Sequence, residues 1–163
     1  MPQQIVFAIV IFLHDLFTAV WIGGLITLGI TVLPSVKKVL GMGPQTKQIM
    51  DTIQKRLSVL VYVSIVGLVL TGLLQANRSP AFQGLFSFGS TYSLVLSLKH
   101  ILVLAMIAVA LIRSLVLGPR SGPPKPSQEK LKVGLLFLNI ALGIGVLLLS
   151  GFGAALSAGP PLM

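Results

Sequence analysis

Two histidines are the whole imidazole complement of this 163-residue chain, His14 in FLHDLFTAVW and His100 in SLKHIL. Each lies in an apolar run beside one charged residue: Asp15 follows His14, and Lys99 precedes His100. Two imidazoles at one depth suit axial ligation of a b-type haem, because neutral imidazole nitrogen binds iron well and needs no cysteine to hold the cofactor. The chain contains no cysteine, which excludes disulfides, thiolate metal sites and cysteine nucleophiles. The second ring nitrogen of each histidine then needs an acceptor, and a backbone carbonyl one turn back would serve. On a helix, His14 shares a face with Val10, Phe17, Thr18, Trp21 and Leu25, and His100 shares one with Leu96, Val103, Leu104 and Ile107. Haem b is the expected cofactor, with His14 and His100 as metal ligands, Thr18 and Trp21 along its wall, and Lys99 and Arg78 at its propionates.

The residues leave three other readings open. His14 and His100 with Met106 would hold Cu(I), although Met106 stands nearly two turns beyond His100. His14 and Asp15 would also make a proton or quinone site. In the third, Asp15 and Lys99 form an ion pair, and the histidines only hydrogen-bond between helices. No residue is assigned a catalytic role, so whether the chain is an enzyme stays open.

The elements that carry these residues belong to a membrane. Hydrophobic residues make up 55% of the chain and charged ones 9%, against roughly 25% charged in a soluble domain; the mean hydropathy is +0.99. A helix crosses the hydrocarbon in about 20 apolar residues. Four stretches are expected to do so: about 5–33, stopped by Pro34 and Lys37-Lys38; about 57–74, after Lys55-Arg56; about 92–112, ending at Arg113; and about 133–156, after Lys130 and Lys132. No period-2 alternation favours strands. The expected fold is therefore all-α, an integral membrane four-helix bundle, with residues 1–163 forming a single transmembrane domain. Met1–Gln4 carries no basic residue and the first apolar run is long, so it is read as a retained helix rather than a signal peptide.

The net charge of +9 does not point to nucleic acid, because the basic residues gather in two loops and form no basic face. Ten of the twelve fall in residues 34–56 and 113–132. The positive-inside rule puts both of those loops in the cytoplasm and both termini outside, an N-out/C-out arrangement in the cell (plasma) membrane. His14 and His100 then lie roughly 15 Å and roughly 12 Å below the outer boundary at 1.5 Å per residue, and ionisable groups at such depth are functional candidates by default. The 118–130 stretch, GPRSGPPKPSQEK, reads as a linker. Phe82, Phe86, Phe88 and Tyr92 suit the headgroup region, with a lid over an outward-facing site as the rarer alternative. Gly23, Gly24, Gly29, Gly67, Gly143, Gly145, Gly151 and Gly153 allow close helix approach, and Asn139 is expected to hydrogen-bond across helices. The expected partners are the lipid bilayer and a redox partner or quinone, in a homo-oligomer or a larger complex.

Several segments resemble one known family. HDLFTAVWIGGL with the later VLPSV is similar to the first helix of the CopD-like superfamily, which includes bacterial copper-resistance membrane domains and HemJ-type protoporphyrinogen oxidases. KRLSVLVYVSIVGLVLTGLL resembles the second helix, and SLKHILVLAMIAVALIR, with its embedded Lys99, the third. The resemblance covers nearly the whole chain. It implies a four-helix membrane unit with His14 as haem or metal ligand, and the HemJ-type reading carries Lys99 over as a required residue. The expected function is a membrane b-type haem protein with bis-histidine ligation, acting in electron transfer or haem-linked redox chemistry. The alternatives are protoporphyrinogen oxidation, copper transport or resistance, and a small structural subunit of a respiratory complex.

Overall fold

Long runs of Leu, Ile and Val leave the backbone no solvent for its polar groups, so in lipid it must satisfy them within each segment as helix. The computed structural model describes residues 2–76, 84, 86–117 and 126–158. Arg78, Phe82 and residues 118–125 of the Pro-rich linker lie outside the described residues. Four helices, α1 (Pro2–Leu40), α2 (Pro44–Ala76), α3 (Thr91–Val116) and α4 (Pro126–Ala158), are each long and apolar enough to cross a membrane. No strand occurs among the described residues. The chain is a four-helix membrane bundle.

All four helices extend past the expected span limits, and the reasons are local. Pro34 does not end α1. The chain widens into π-turns at Ala19–Gly23 and Thr27–Val32, and Pro34 follows the second. A proline in a regular helix clashes with the carbonyl four residues back, here that of Ile30, and a π-turn at that point relieves the crowding. Gly41 ends α1 instead, at φ 68°, where a side chain would be strained, and its N–H donates to the Lys37 carbonyl. Residues 44–56, expected to belong to the first basic loop, are the first part of α2. Pro44 opens that helix, and the Thr46 hydroxyl donates to the Gly41 carbonyl at 2.8 Å, bridging the break between α1 and α2. At 1.5 Å per residue α2 is about 50 Å long, well beyond a hydrocarbon core of about 30 Å, so Lys47, Lys55 and Arg56 lie on its projecting end. Arg113, expected at the start of a loop, lies inside α3, which continues through a further π-turn to Val116.

The helices run antiparallel between neighbours. α1 packs along α2, α3 along α4, and the second half of α1 meets α4. One end of the bundle carries Pro2, Ala76, Thr91 and Ala158 and is called the histidine end. The other, the basic end, carries the α1–α2 break and the start of α4. The tightest seam joins α1 to α2 at Gly67, where a Cβ would collide with the Phe17 ring. At Gly143 a Cβ would meet both Ile22 and Met106, so α1, α3 and α4 converge there. Gly24 and Gly29 receive Leu57 and Ile140 in the same way, whereas Gly23 and Gly151 face open space. The apolar core comprises Trp21, Ile22, Leu25, Leu28, Val61, Met106, Leu136, Ile140 and Val146. Because α1 contributes to it only from Trp21 onward, the core is weighted away from the histidine end: Pro2–Thr18 contains no buried residue at all.

Candidate functional site

His14 is held from α2. Its Nδ1 lies 2.9 Å from Thr71 Oγ1, and Thr71 Oγ1 is 2.6 Å from the Gly67 carbonyl. A hydroxyl has one proton, and a carbonyl only accepts. Thr71 therefore donates to Gly67 and accepts from His14, which places the ring proton on Nδ1 and leaves a lone pair on Nε2. Gly72, next in the chain, makes room for the ring: a Cβ there would lie 3.6 Å from His14 Cε1.

His100 reaches the same protonation state by a shorter route. Its Nδ1 is 2.7 Å from the Leu96 carbonyl, one turn back on α3, so this nitrogen donates and Nε2 keeps its lone pair. The Phe86 ring stands edge-on to His100, with centroids 6.4 Å apart and an interplanar angle of 62°. The Ser97 hydroxyl donates to the Ser87 carbonyl at 2.9 Å, which ties this stretch to α3 one turn before His100. Ser90 caps α3 by accepting from the Ser93 N–H at 3.1 Å.

The contact shared at Gly143 sets the two histidines' relative depth. Ile22 and Met106 meet there; His14 precedes Ile22 by eight residues, and His100 precedes Met106 by six. A difference of two residues is about 3 Å along a helix axis. Both rings are half-buried, and His100, Lys99 and Asp15 are all close enough for their charges to act on His14. Lys99 also acts on His100 and feels Asp15. His14, Asp15, Lys99 and His100 thus lie near one another in the loosely packed half of the bundle.

Other expected site residues are placed differently. The Thr18 hydroxyl donates to the His14 carbonyl at 2.9 Å and serves its own helix. Trp21 is buried in the core, where it lines a cavity toward the basic end. Met106 packs against Gly143, six residues beyond His100. Asn139 makes no hydrogen bond across helices; both its amide atoms are buried without a partner. Among the described residues no three or more His, Asp or Glu side chains gather as a metal-binding group. His14 and His100 each keep one imidazole nitrogen without a hydrogen bond among the described residues, and neutral imidazole nitrogen is a ligand for iron or copper.

Two contacts made by the histidines had no signature in the sequence. Thr71 is 57 residues from His14, and no local spacing joins them. Phe86 reads equally well as an interface aromatic. Arg113 did carry a signal, because Leu115, Val116 and Leu117 continue the apolar run beyond it.

Residues 52–154 match the family described as copper resistance protein D. The match takes in Thr71, Lys99 and His100 and begins after α1, so His14 lies outside it. No curated protein and no solved structure matches the chain. More than half of the residues fall within the family match and four apolar helices carry them, so the chain belongs to the copper resistance protein D family of membrane proteins.

Proposed function

We propose that the protein binds one b-type haem between His14 and His100 and serves in membrane electron transfer. The observation that carries this reading is the shared protonation state of the two rings. Each donates through Nδ1, to Thr71 or to Leu96, and keeps an Nε2 lone pair for a metal. Fixing the distal N–H in this way orients a ligating imidazole and raises its basicity. The loose packing of α1 above Trp21 supports it further, since a flat macrocycle needs a gap between helices that core side chains do not fill. Haem supplies one-electron chemistry when bound. The chain's own residues orient the two ligands, exclude water with Phe86 and the apolar helix faces, and set the local charge with Asp15 and Lys99. Arg78 is retained as a partner for a propionate.

In this reading residues 1–163 form one transmembrane domain in the plasma membrane, with the basic end cytoplasmic. The redox group then lies toward the outer face, within reach of a quinone in the bilayer or a redox protein beyond it. The absorption spectrum of protein purified from a haem-replete host tests the proposal. A Soret band with a sharp α-band on reduction is expected, and His100→Ala is expected to lose the low-spin form. A colourless preparation would overturn it.

The family match favours a second reading, in which the same two nitrogens bind Cu(I) as cargo for transport or resistance. One copper per chain in a colourless protein, lost in both His14→Ala and His100→Ala, would select that reading over haem.

A further inference from the structure

A second polar site lies toward the basic end, on the far side of Trp21 from the histidines. Residues of all four helices line a cavity of about 30 Å³ there, among them Trp21 from α1, Ser58 and Tyr62 from α2, Arg113 and Ser114 from α3, and Asn139 from α4. Arg113 is 7% exposed, Trp21 2% and Asn139 0%. Arg113 Nε, Trp21 Nε1, the Tyr62 hydroxyl and both amide atoms of Asn139 are buried without a hydrogen-bond partner. Buried polar atoms in native proteins nearly always have partners, so a group of orphans around one cavity calls for an occupant.

The chemistry of the orphans selects its sign. Arg113 Nε, Trp21 Nε1 and Asn139 Nδ2 are donors, and Arg113 carries a full positive charge. The chain has three acidic residues, Asp15, Asp51 and Glu129, and none is among the residues lining the cavity. A buried unpaired cation is strongly unfavourable, and bare water would leave it uncompensated. The volume corresponds to about two water-sized positions; a carboxylate presents two oxygens, and a guanidinium matches that group in a planar fork.

We propose that this cavity is an anion site for a single carboxylate group, bound by Arg113, Trp21 and Asn139. The carboxylate belongs either to a small free acid or to a fatty acid in the bilayer. The site is separate from the histidine pair and does not depend on whether haem or copper binds there.

Trp21 is the one tryptophan of the chain, so its single indole N–H resonance reports directly on the site. The experiment titrates ¹⁵N-labelled protein in phosphatidylcholine nanodiscs with acetate, with neutral acetamide as control, and separately with oleate added to the bilayer. A saturable shift of the indole resonance with acetate, absent with acetamide, is expected for a free acid. A shift with oleate alone would assign the fatty acid. Arg113→Gln is expected to weaken the response at least about tenfold, as loss of a charged hydrogen-bond donor should. Asn139→Leu, which keeps the charge, is expected to weaken it less and guards against misfolding of the arginine variant. No shift with either acid, or an equal shift with acetamide, would overturn the proposal.

Discussion

At the scale of the residue, Thr71 matters for the single proton it has to give. It donates that proton to Gly67, so toward His14 it only accepts, and the imidazole is locked with Nε2 free. Thr71→Val keeps the shape and removes the acceptor. If His14 ligates haem, apparent haem affinity is expected to fall about 10- to 100-fold, as for other partners that orient a metal ligand; haem transfer to an apo-globin acceptor measures it. Thr71→Ser restores the hydroxyl and is expected to recover most of the loss. An unchanged affinity in Thr71→Val would mean that His14 is not oriented through this bond.

At the scale of the element, membrane helices gain nothing from burying apolar surface against one another, so close fit between surfaces holds the bundle together. Gly67 is where α1 and α2 come closest, with the Phe17 ring in the space a Cβ would take. Gly67→Ala is expected to destabilise the bundle by about 1–3 kcal/mol, the usual range for overpacking. Gly134 is helical with open space beside it, and Gly134→Ala is expected to be neutral or stabilising by up to about 1 kcal/mol. Unfolding in mixed micelles, followed by circular dichroism, compares the two. Equal effects would show that the α1–α2 seam is not limited by this contact. The π-turns of α1 belong to the same scale, since they let one helix pass Pro34 and carry Lys37 and Lys38 beyond the hydrocarbon without a break.

At the scale of the whole molecule, the distribution of charge makes an experimental claim about direction. Lys130 lies at the basic end and Gln3 at the histidine end, and both are exposed. The chain has no cysteine, so Gln3→Cys and Lys130→Cys each introduce one thiol. In intact cells an impermeant maleimide is expected to label the first and spare the second until the membrane is opened. The reverse pattern would invert the orientation and put the histidine pair on the cytoplasmic side. The two sites lie at opposite ends of the core, so the same measurement also assigns the carboxylate cavity to one leaflet.

Much of this was legible along the chain. The four apolar segments, the concentration of Lys and Arg in two regions and the matching positions of His14 and His100 follow from composition and from the constant 1.5 Å rise of a helix. These are one-dimensional properties, set by lipid on one side and the hydrogen-bonding needs of the backbone on the other. The span limits were less legible, because Pro34, Lys47 and Arg113 stop or expel an isolated helix, whereas here π-turns, projection past the bilayer and burial between neighbours accommodate them. What only the tertiary structure decided is which groups meet. Thr71 fixing His14, Phe86 standing against His100, and Trp21, Arg113 and Asn139 gathering around one cavity all join residues far apart in the chain. Such meetings depend on how helices rotate and settle against each other, and in a bilayer that is governed by shape and by a few polar contacts, which the order of residues along one helix does not reveal.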